Sequence, residues 1–260
     1  MRIILIRHAP SMGQKDPSNY SKYGDINVPL DPEYAHLSIE CGKNLRTYFN
    51  QISLDTPPVF WTSQFMRSQQ TFTGIKQGLA DHFTQQSLTW HVDPLLNEQS
   101  FGILPYIEDI KNPVKKVIVK LLSSMAHQLY KNDSYSSKTL MGESPLDKSR
   151  DVRLFMSGSL QNNIDKGHEN HVIISHGNHI KPFLMHWFHL YGRDTWQKLD
   201  TPGNCDTFVI EGEKGNWSVK KIYDGQNAKS LINNPINPIA HIKKPTDSPP
   251  PPLPKMNLDK

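Results

Sequence analysis

The stretches Arg2-Ile3-Ile4-Leu5-Ile6-Arg7-His8 and His171-Val172-Ile173-Ile174-Ser175-His176-Gly177 decide the fold of this chain. Each is a short run of β-branched and apolar residues, a pattern that predicts a buried strand. Pro10 follows the first run and cannot donate to a strand ladder, so the strand has to end before it. His8 comes after the first strand and His176 directly after the second. Both imidazoles are therefore expected at strand ends.

The rest of the chain alternates between helical and strand patterns. Predicted helices cover 38–51, 63–83 (with Ser63 as N-cap), 147–163 and 180–191, predicted strands cover 59–62 and 88–92, a closing hairpin joins 207–210 to 217–222, and 11–36 is interpreted as a long loop. This alternation favours an α/β fold with a mainly parallel central sheet and helices on both faces. Ligands bind such sheets beyond the carboxyl ends of the strands. We therefore expect His8 and His176 to share one rim.

The composition is that of a globular protein with a mild basic excess. The 260 residues suffice for one large α/β domain or two small ones, and the net charge is +4. This scattered excess favours a small anionic substrate and does not argue for nucleic acid. Four apolar residues before Arg7 are too few for a signal peptide, and no run approaches the ~18 apolar residues of a membrane helix. We expect a cytoplasmic protein with no membrane partner. Two distant cysteines, Cys41 and Cys205, predict neither a disulfide framework nor a metal-ligand set.

Five motifs follow one another in an order that identifies a family. They are Arg7-His8-Ala9-Pro10-Ser11, Thr62-Ser63-Gln64-Phe65-Met66-Arg67-Ser68-Gln69-Gln70-Thr71, Leu96-Asn97-Glu98-Gln99-Ser100-Phe101-Gly102, Gly142-Glu143-Ser144 and Ser175-His176-Gly177-Asn178. Together they resemble the histidine phosphatase superfamily, which includes cofactor-dependent phosphoglycerate mutase. The resemblance spans 1–225, which we predict to be one domain with a phosphoglycerate mutase-like fold. Ala9-Pro10 stands where the family has Gly-Glu, and Lys181 where it commonly has Arg.

The resemblance assigns roles to single residues, and the chemistry explains them. His8 is implied as the nucleophile, because imidazole can carry a covalent phosphoryl group. Arg7 and Arg67 supply planar forks that match phosphate oxygens, and a protonated His176 adds a further donor. Glu98 is implied as general acid and then general base. The implied substrate-binding set is Arg7, Ser11, Gln14, Arg67 and Gly177, where Gln14 offers an amide and Gly177 lets the backbone approach closely.

Two segments lie outside the motifs. Residues 102–141 are interpreted as a helical insertion over the active site, since 107–130 has a helical period and carries several lysines. Residues 226–260 are interpreted as a Pro-rich tail, extended or disordered, because proline removes backbone donors. Within it, Pro251-Pro252-Leu253-Pro254 resembles the ligand of a WW domain, so a WW-type partner is one candidate.

The sequence predicts a phosphomonoesterase that hydrolyses a small phosphorylated substrate through a phosphohistidine on His8. Three alternatives stay open: a phosphoglycerate mutase-type phosphoryl transfer, a phosphoprotein phosphatase and a catalytically silent phosphate-binding module. Hydrolysis is favoured over mutase activity because 103–109 lacks the basic cluster that mutases carry. No cofactor is expected. No metal is expected either, because the set of His176, His179, His186 and His189 includes no Cys or Glu at zinc-site spacing.

Overall fold

The computed structural model describes residues 1–84, 87–213 and 215–242. Its strands are β1 (Arg2–Arg7), β2 (Val59–Thr62), β3 (Trp90–Val92), β4 (Asn170–Ser175), β5 (Thr207–Glu213), β6 (Asn216–Asp224) and β7 (Lys229–Ser230). They form one sheet in the order β3-β2-β4-β1-β5-β6-β7. β3, β2, β4 and β1 run parallel, whereas β5, β6 and β7 are added antiparallel. The sheet is therefore mixed, and the mainly parallel sheet predicted from the sequence describes only its first half.

The pairing of β1 with β4 sets the position of the two histidines. Arg7 lies opposite Ser175 in a parallel register. The next residue, His8, donates its backbone N–H to the Ser175 carbonyl at 2.9 Å. His8 and His176 thus leave neighbouring strands at the same level, and the prediction of a shared rim is confirmed.

Helices cover both faces of the sheet, as predicted. They are α1 (Met12–Lys15), α2 (Ser18–Tyr23), α3 (His36–Gln51), α4 (Met66–Gly78), α5 (Pro113–Asn132), α6 (Pro145–Phe155), α7 (Gln161–Asp165), α8 (Gly177–Trp187) and α9 (Arg193–Lys198). One core contains Ile4 and Ile6 of β1 with residues of α3 and α4, such as Phe49. The other contains Ile3 and Leu5 with residues of α6 and α8. Alternate residues of β1 therefore enter opposite cores, as the two-residue period of a strand requires.

The predicted loop over 11–36 is wrong in part, because it contains α1, α2 and a 3₁₀ turn at Asp25–Asn27. Short-range side-chain hydrogen bonds form these turns. Ser11 and Gln14 make a capping box at the start of α1, and the Asn19 side chain donates to the carbonyls of Met12 and Asp16 at 3.1 Å. Polar caps of this kind stabilise a helical turn without any apolar periodicity.

Two predicted element bounds also change. The helix after β2 begins at Met66 and ends at Gly78, so Ser63 is not its N-cap; the Ser63 hydroxyl binds a buried histidine instead. β3 begins at Trp90, so Leu88 precedes it and turns into the core. In both cases a tertiary contact overrides a local preference.

The insertion contains a helix, and the described part of the tail is more structured than expected. Within 102–141, a 3₁₀ turn covers Leu104–Asp109 and α5 begins at Pro113, capped by the Asn112 side chain. Residues 226–242 pack on the domain, because β7 pairs with β6, Ile236 bridges to Lys221 and Ile242 is buried. The proline motif at 251–254 lies outside the described residues. Among the helices that the structure describes, none is both long enough and apolar enough to cross a bilayer.

Candidate active site

His8 and His176 lie side by side at the rim of the sheet, with ring centroids 5.0 Å apart in an edge-to-face arrangement. Both side chains are buried. The His8 Nδ1 is 2.7 Å from the Ala9 carbonyl oxygen. Because a carbonyl oxygen can only accept, we assign the proton to Nδ1. The Nε2 of His8 then carries a free lone pair, which is what a nucleophile needs.

The electrostatic surroundings keep His8 neutral. Burial lowers the pKa of His8 well below its ordinary value, and the positive charges of Arg67 and Arg7 lower it further. A protonated imidazole has no lone pair on Nε2 and cannot attack phosphorus. The arginines that could bind a phosphate therefore also keep His8 in its nucleophilic form.

The hydroxyl of Ser63 orients His176. Its Oγ is 2.8 Å from the His176 Nε2 and accepts from the Phe65 backbone N–H at 3.3 Å. The hydroxyl hydrogen is then free to be donated to Nε2, which leaves the His176 proton on Nδ1. This Nδ1 is buried, makes no hydrogen bond within the described residues, and is 3.9 Å from a carboxylate oxygen of Glu98. His176 thus has one unpaired donor close to the Glu98 carboxylate.

Two guanidinium groups complete a positive cluster, Arg67 buried and Arg7 half-buried. Arg7 donates from Nη1 to the Pro202 carbonyl at 2.5 Å, while its buried Nε has no hydrogen-bond partner among the described residues. A Cβ at Gly177 would sit 3.7 Å from that Nε and 3.1 Å from a Thr201 methyl carbon, so the glycine keeps the approach to Arg7 open. Arg67 donates to the backbone and side chain of Asp25 at 2.9 and 3.0 Å.

Glu98 lies largely buried beside these cations. Burial raises the pKa of Glu98. A hydrogen bond from the Gln99 backbone N–H (2.9 Å) and the positive charges of Arg67 and Arg7 lower the pKa, but the effect of burial is larger. A raised pKa makes the carboxyl easier to protonate than an ordinary Glu side chain. Such a group can give a proton in one step and take one in the next.

These side chains surround a cavity of about 180 Å³. Its walls consist of Arg7, His8, Gln14, Tyr20, Asp25, Arg67, Glu98, Phe101, Gly177, Asn178 and Thr201. His176 is fully buried and contacts this set from behind, through His8 and Glu98.

Of the residues assigned from the sequence, Ser11 alone stays apart from this constellation. The structure places it at the start of α1, where its backbone N–H donates to the Gln14 Oε1 at 3.1 Å. It therefore supports Gln14, which does line the cavity.

Sequence reasoning missed Tyr20 and Asp25, because both lie in the stretch interpreted as a loop. It also missed Asn204, which donates to the His8 carbonyl at 2.8 Å and to Gln14 at 3.1 Å. Lone polar residues in a stretch without apolar periodicity carry no motif signal, so only the fold places them at the cavity or beside it.

The four histidines His176, His179, His186 and His189 bind separate partners and do not share a ligand. His176 binds Ser63, His179 lies 3.1 Å from the Leu95 carbonyl, His186 2.7 Å from the Ser149 hydroxyl and His189 3.1 Å from the Tyr191 hydroxyl. Within the described ranges, no group of three or more His, Cys, Asp or Glu side chains is arranged to hold a metal ion.

Comparison with known proteins gives a consistent answer. The sequence profile of the histidine phosphatase superfamily (branch 1) matches residues 3–225. The phosphoglycerate mutase-like protein AT74 of Arabidopsis thaliana is 27% identical over 229 residues, covering 84% of this chain and 67% of the relative. AT74H of the same plant is 25% identical over 252 residues, covering 90% and 84%.

Solved structures share the fold at lower identity. A mycobacterial glucosyl-3-phosphoglycerate phosphatase in complex with inorganic phosphate superposes with a TM-score of 0.58 at 15% identity, covering 84% of this chain and 94% of that one. The alpha-ribazole phosphatase of Shigella flexneri gives 0.57 at 20% identity, covering 84% and 93%.

Proposed function

The chain belongs to the histidine phosphatase superfamily, and we propose that it is a phosphomonoesterase that transfers the phosphoryl group to the Nε2 of His8 and then to water. One observation carries the proposal. The lone pair of His8 and the donors of Arg7 and Arg67 meet in one cavity, with His176 behind it. A phosphate monoester needs this combination, because its charge has to be neutralised while a nucleophile attacks opposite the leaving oxygen.

In the first step, His8 Nε2 bonds to phosphorus as the ester P–O bond breaks. The negative charge on the equatorial oxygens is stabilised by Arg7, Arg67 and the Nδ1–H of His176. Removing one preorganised donor of this kind costs roughly 2.7–4 kcal/mol of transition-state stabilisation, by analogy with oxyanion holes. The protonated Glu98 gives its proton to the leaving alkoxide, which departs as an alcohol.

In the second step, the Glu98 carboxylate takes a proton from water as that water attacks phosphorus. The P–N bond breaks, His8 recovers its lone pair and inorganic phosphate forms. Glu98 then holds a proton again, as it did at the start. The raised pKa of Glu98 supports this double role, because it makes the carboxyl a better proton carrier than an ordinary Glu side chain.

The remaining charges of the cavity favour hydrolysis over a mutase reaction. A mutase that acts on phosphoglycerate has to bind a carboxylate as well as a phosphate. Apart from Arg7 and Arg67, the titratable side chains that line this cavity are Tyr20, Asp25, Glu98 and His8. A carboxylate on the substrate would therefore meet Asp25 and Glu98 and no further Lys or Arg of the wall. We propose a substrate whose leaving group is a neutral or cationic alcohol.

Turnover of para-nitrophenyl phosphate by wild type and His8→Ala tests the nucleophile. We expect the variant to lose at least about a thousandfold in kcat, because it lacks the imidazole that carries the phosphoryl intermediate. His91→Ala, an exposed histidine on β3, is the matched control and should keep wild-type activity. Turnover that survives in His8→Ala would refute the proposal. Isomerisation of 3-phosphoglycerate faster than phosphate release would show a mutase, and an inactive wild type that still binds phosphate would show a silent module.

A further inference from the structure

Helix α5 exposes a continuous apolar stripe to solvent. The stripe consists of Val114, Val117, Ile118, Leu121, Leu122, Met125 and Leu129, each between 44% and 68% exposed. Their spacing of three and four residues places them along one side of the helix. At 1.5 Å per residue, the stripe is about 22 Å long. Scattered apolar residues on a surface need no explanation, but a contiguous row of this length marks a surface that binds something.

The inner side of α5 is the less apolar one. The residues that turn toward the protein are Lys116, Val119, Ser123, Ala126 and Tyr130, of which Ser123 is buried. A helix that serves only the core of a globular protein directs its apolar stripe inward. In α5 the direction is reversed, so packing of this domain does not explain the stripe.

The charges around the stripe are positive. Residues 110–132 contain no Asp or Glu, while α5 carries Lys115, Lys116, Lys120 and Lys131 and Lys111 precedes it. From the neighbouring 3₁₀ turn, Glu108 faces α5 and pairs with Lys116 and Lys120 at 2.8 Å. Lys115 and Lys131 are exposed. The surface that covers the stripe has to accommodate positive charges along its border.

We infer that α5 binds flat to an anionic phospholipid surface, with its apolar stripe in the boundary between head groups and acyl chains and its lysines among the lipid phosphates. Such interfacial binding is typical of a helix that has an apolar face bordered by lysines but is not apolar enough to cross a bilayer. The sequence-based expectation of no membrane partner used a spanning criterion, which a helix of this kind does not need to meet.

The composition of the surface argues against a protein as the partner. A second copy packed stripe to stripe would bring lysines of both helices together, with no carboxylate on α5 to offset them. Protein interfaces are enriched in aromatic residues and Arg at their centre and depleted in Lys. The stripe contains aliphatic side chains and one Met, without an aromatic residue or Arg. An anionic lipid surface satisfies both the apolar stripe and its lysines.

Flotation of the full chain with vesicles tests the inference independently of catalysis. We expect binding to phosphatidylcholine vesicles that contain phosphatidylserine, and no binding to phosphatidylcholine alone. Leu121→Gln with Met125→Gln should weaken binding at least about tenfold, since each substitution removes apolar carbon that the bound helix would insert into the lipid. Leu154→Gln on α6 is the matched control, because Leu154 is 58% exposed but lies outside the stripe. Lys115→Gln with Lys131→Gln should weaken binding roughly thirtyfold, at about one kcal/mol per lysine.

Several results would overturn the inference. One is equal binding to vesicles with and without phosphatidylserine, and another is unchanged binding by the Leu121→Gln, Met125→Gln variant. A dimer in sedimentation that this variant dissociates, with no vesicle binding by the wild type, would assign the stripe to self-association. Since all substituted residues are exposed, circular dichroism and the thermal midpoint should match the wild type.

Discussion

His179 should make the protein less stable in acid, and the structure gives the size of the effect. Its ring is fully buried on α8, with Nε2 3.1 Å from the Leu95 carbonyl oxygen and Nδ1 unpaired within the described residues. Burial lowers the pKa of His179 from 6.5 to about 3, and the positive charge of Lys148 adds to this. The folded protein therefore keeps this ring neutral at pH values where the unfolded chain protonates it.

The sign follows from proton binding in the two states. Between pH 6.5 and about 3 the unfolded state binds more protons, so the free energy of unfolding falls as the pH is lowered. The full slope is about 1.4 kcal/mol per pH unit for one group. Between pH 7 and pH 4, His179 alone should account for a loss of roughly 3 kcal/mol. The buried His8 and His176, whose pKa values are also lowered, add to it in the same direction.

Urea unfolding of wild type and His179→Gln at pH 7 and pH 4 measures the effect. The glutamine amide can still donate to the Leu95 carbonyl but does not titrate, so the variant should lose roughly 3 kcal/mol less than the wild type over this range. His127→Gln replaces an exposed histidine of α5 and should follow the wild-type profile. If His179→Gln and the wild type lose stability in parallel, the neutral buried state assigned to His179 is wrong.

Three further predictions concern the site. Glu98→Gln should lower kcat for an alkyl phosphate about 10²–10⁴-fold, and less for para-nitrophenyl phosphate, whose leaving group needs little protonation. Because burial raises the pKa of Glu98, the wild-type rate should fall as rising pH removes its proton, and this limb of the pH profile should be absent in the variant. Asp25→Asn should lower KM for anionic esters several-fold, since it removes a negative charge that pairs with Arg67, whereas Asp81→Asn, at an exposed site, should not. Ser63→Ala should lower both kcat and the thermal midpoint, because an unpaired buried polar atom on His176 costs about 1–3 kcal/mol, and Ser63→Thr should restore part of each. Unchanged constants in any of these variants would contradict the role given to that side chain.

The meeting of His8 and His176 could be predicted because it depends on strong sequence signals. Two apolar runs form adjacent parallel strands, and the strand ends place the residues that follow them on one rim. Arg67 and Glu98 were found through motifs, since neither has a periodic pattern of its own. These features follow from short, well-patterned segments.

The missed features depend on contacts between distant segments. Asp25 reaches Arg67 because polar caps fold the stretch before it into short helices. No hydrophobic pattern in the sequence indicates these turns. Serine is a preferred N-cap residue, yet the hydroxyl of Ser63 binds the buried imidazole of His176 instead. Ile242 belongs to the core through long-range packing. The prolines around it predict an extended tail, so the sequence does not indicate this contact. The orientation of α5 also required the structure, because a helical period does not say which side faces water.

Locating the phosphoryl group on the enzyme tests the central claim most directly. The protein is mixed with para-nitrophenyl phosphate, quenched in alkali to preserve phosphohistidine, digested and mapped by mass spectrometry. We predict a phosphoryl group on His8 in the wild type, more of it in Glu98→Gln, where attack by water is slowed, and none in His8→Ala. Phosphorylation of His176 instead, or turnover with no phosphoenzyme in Glu98→Gln, would contradict the account.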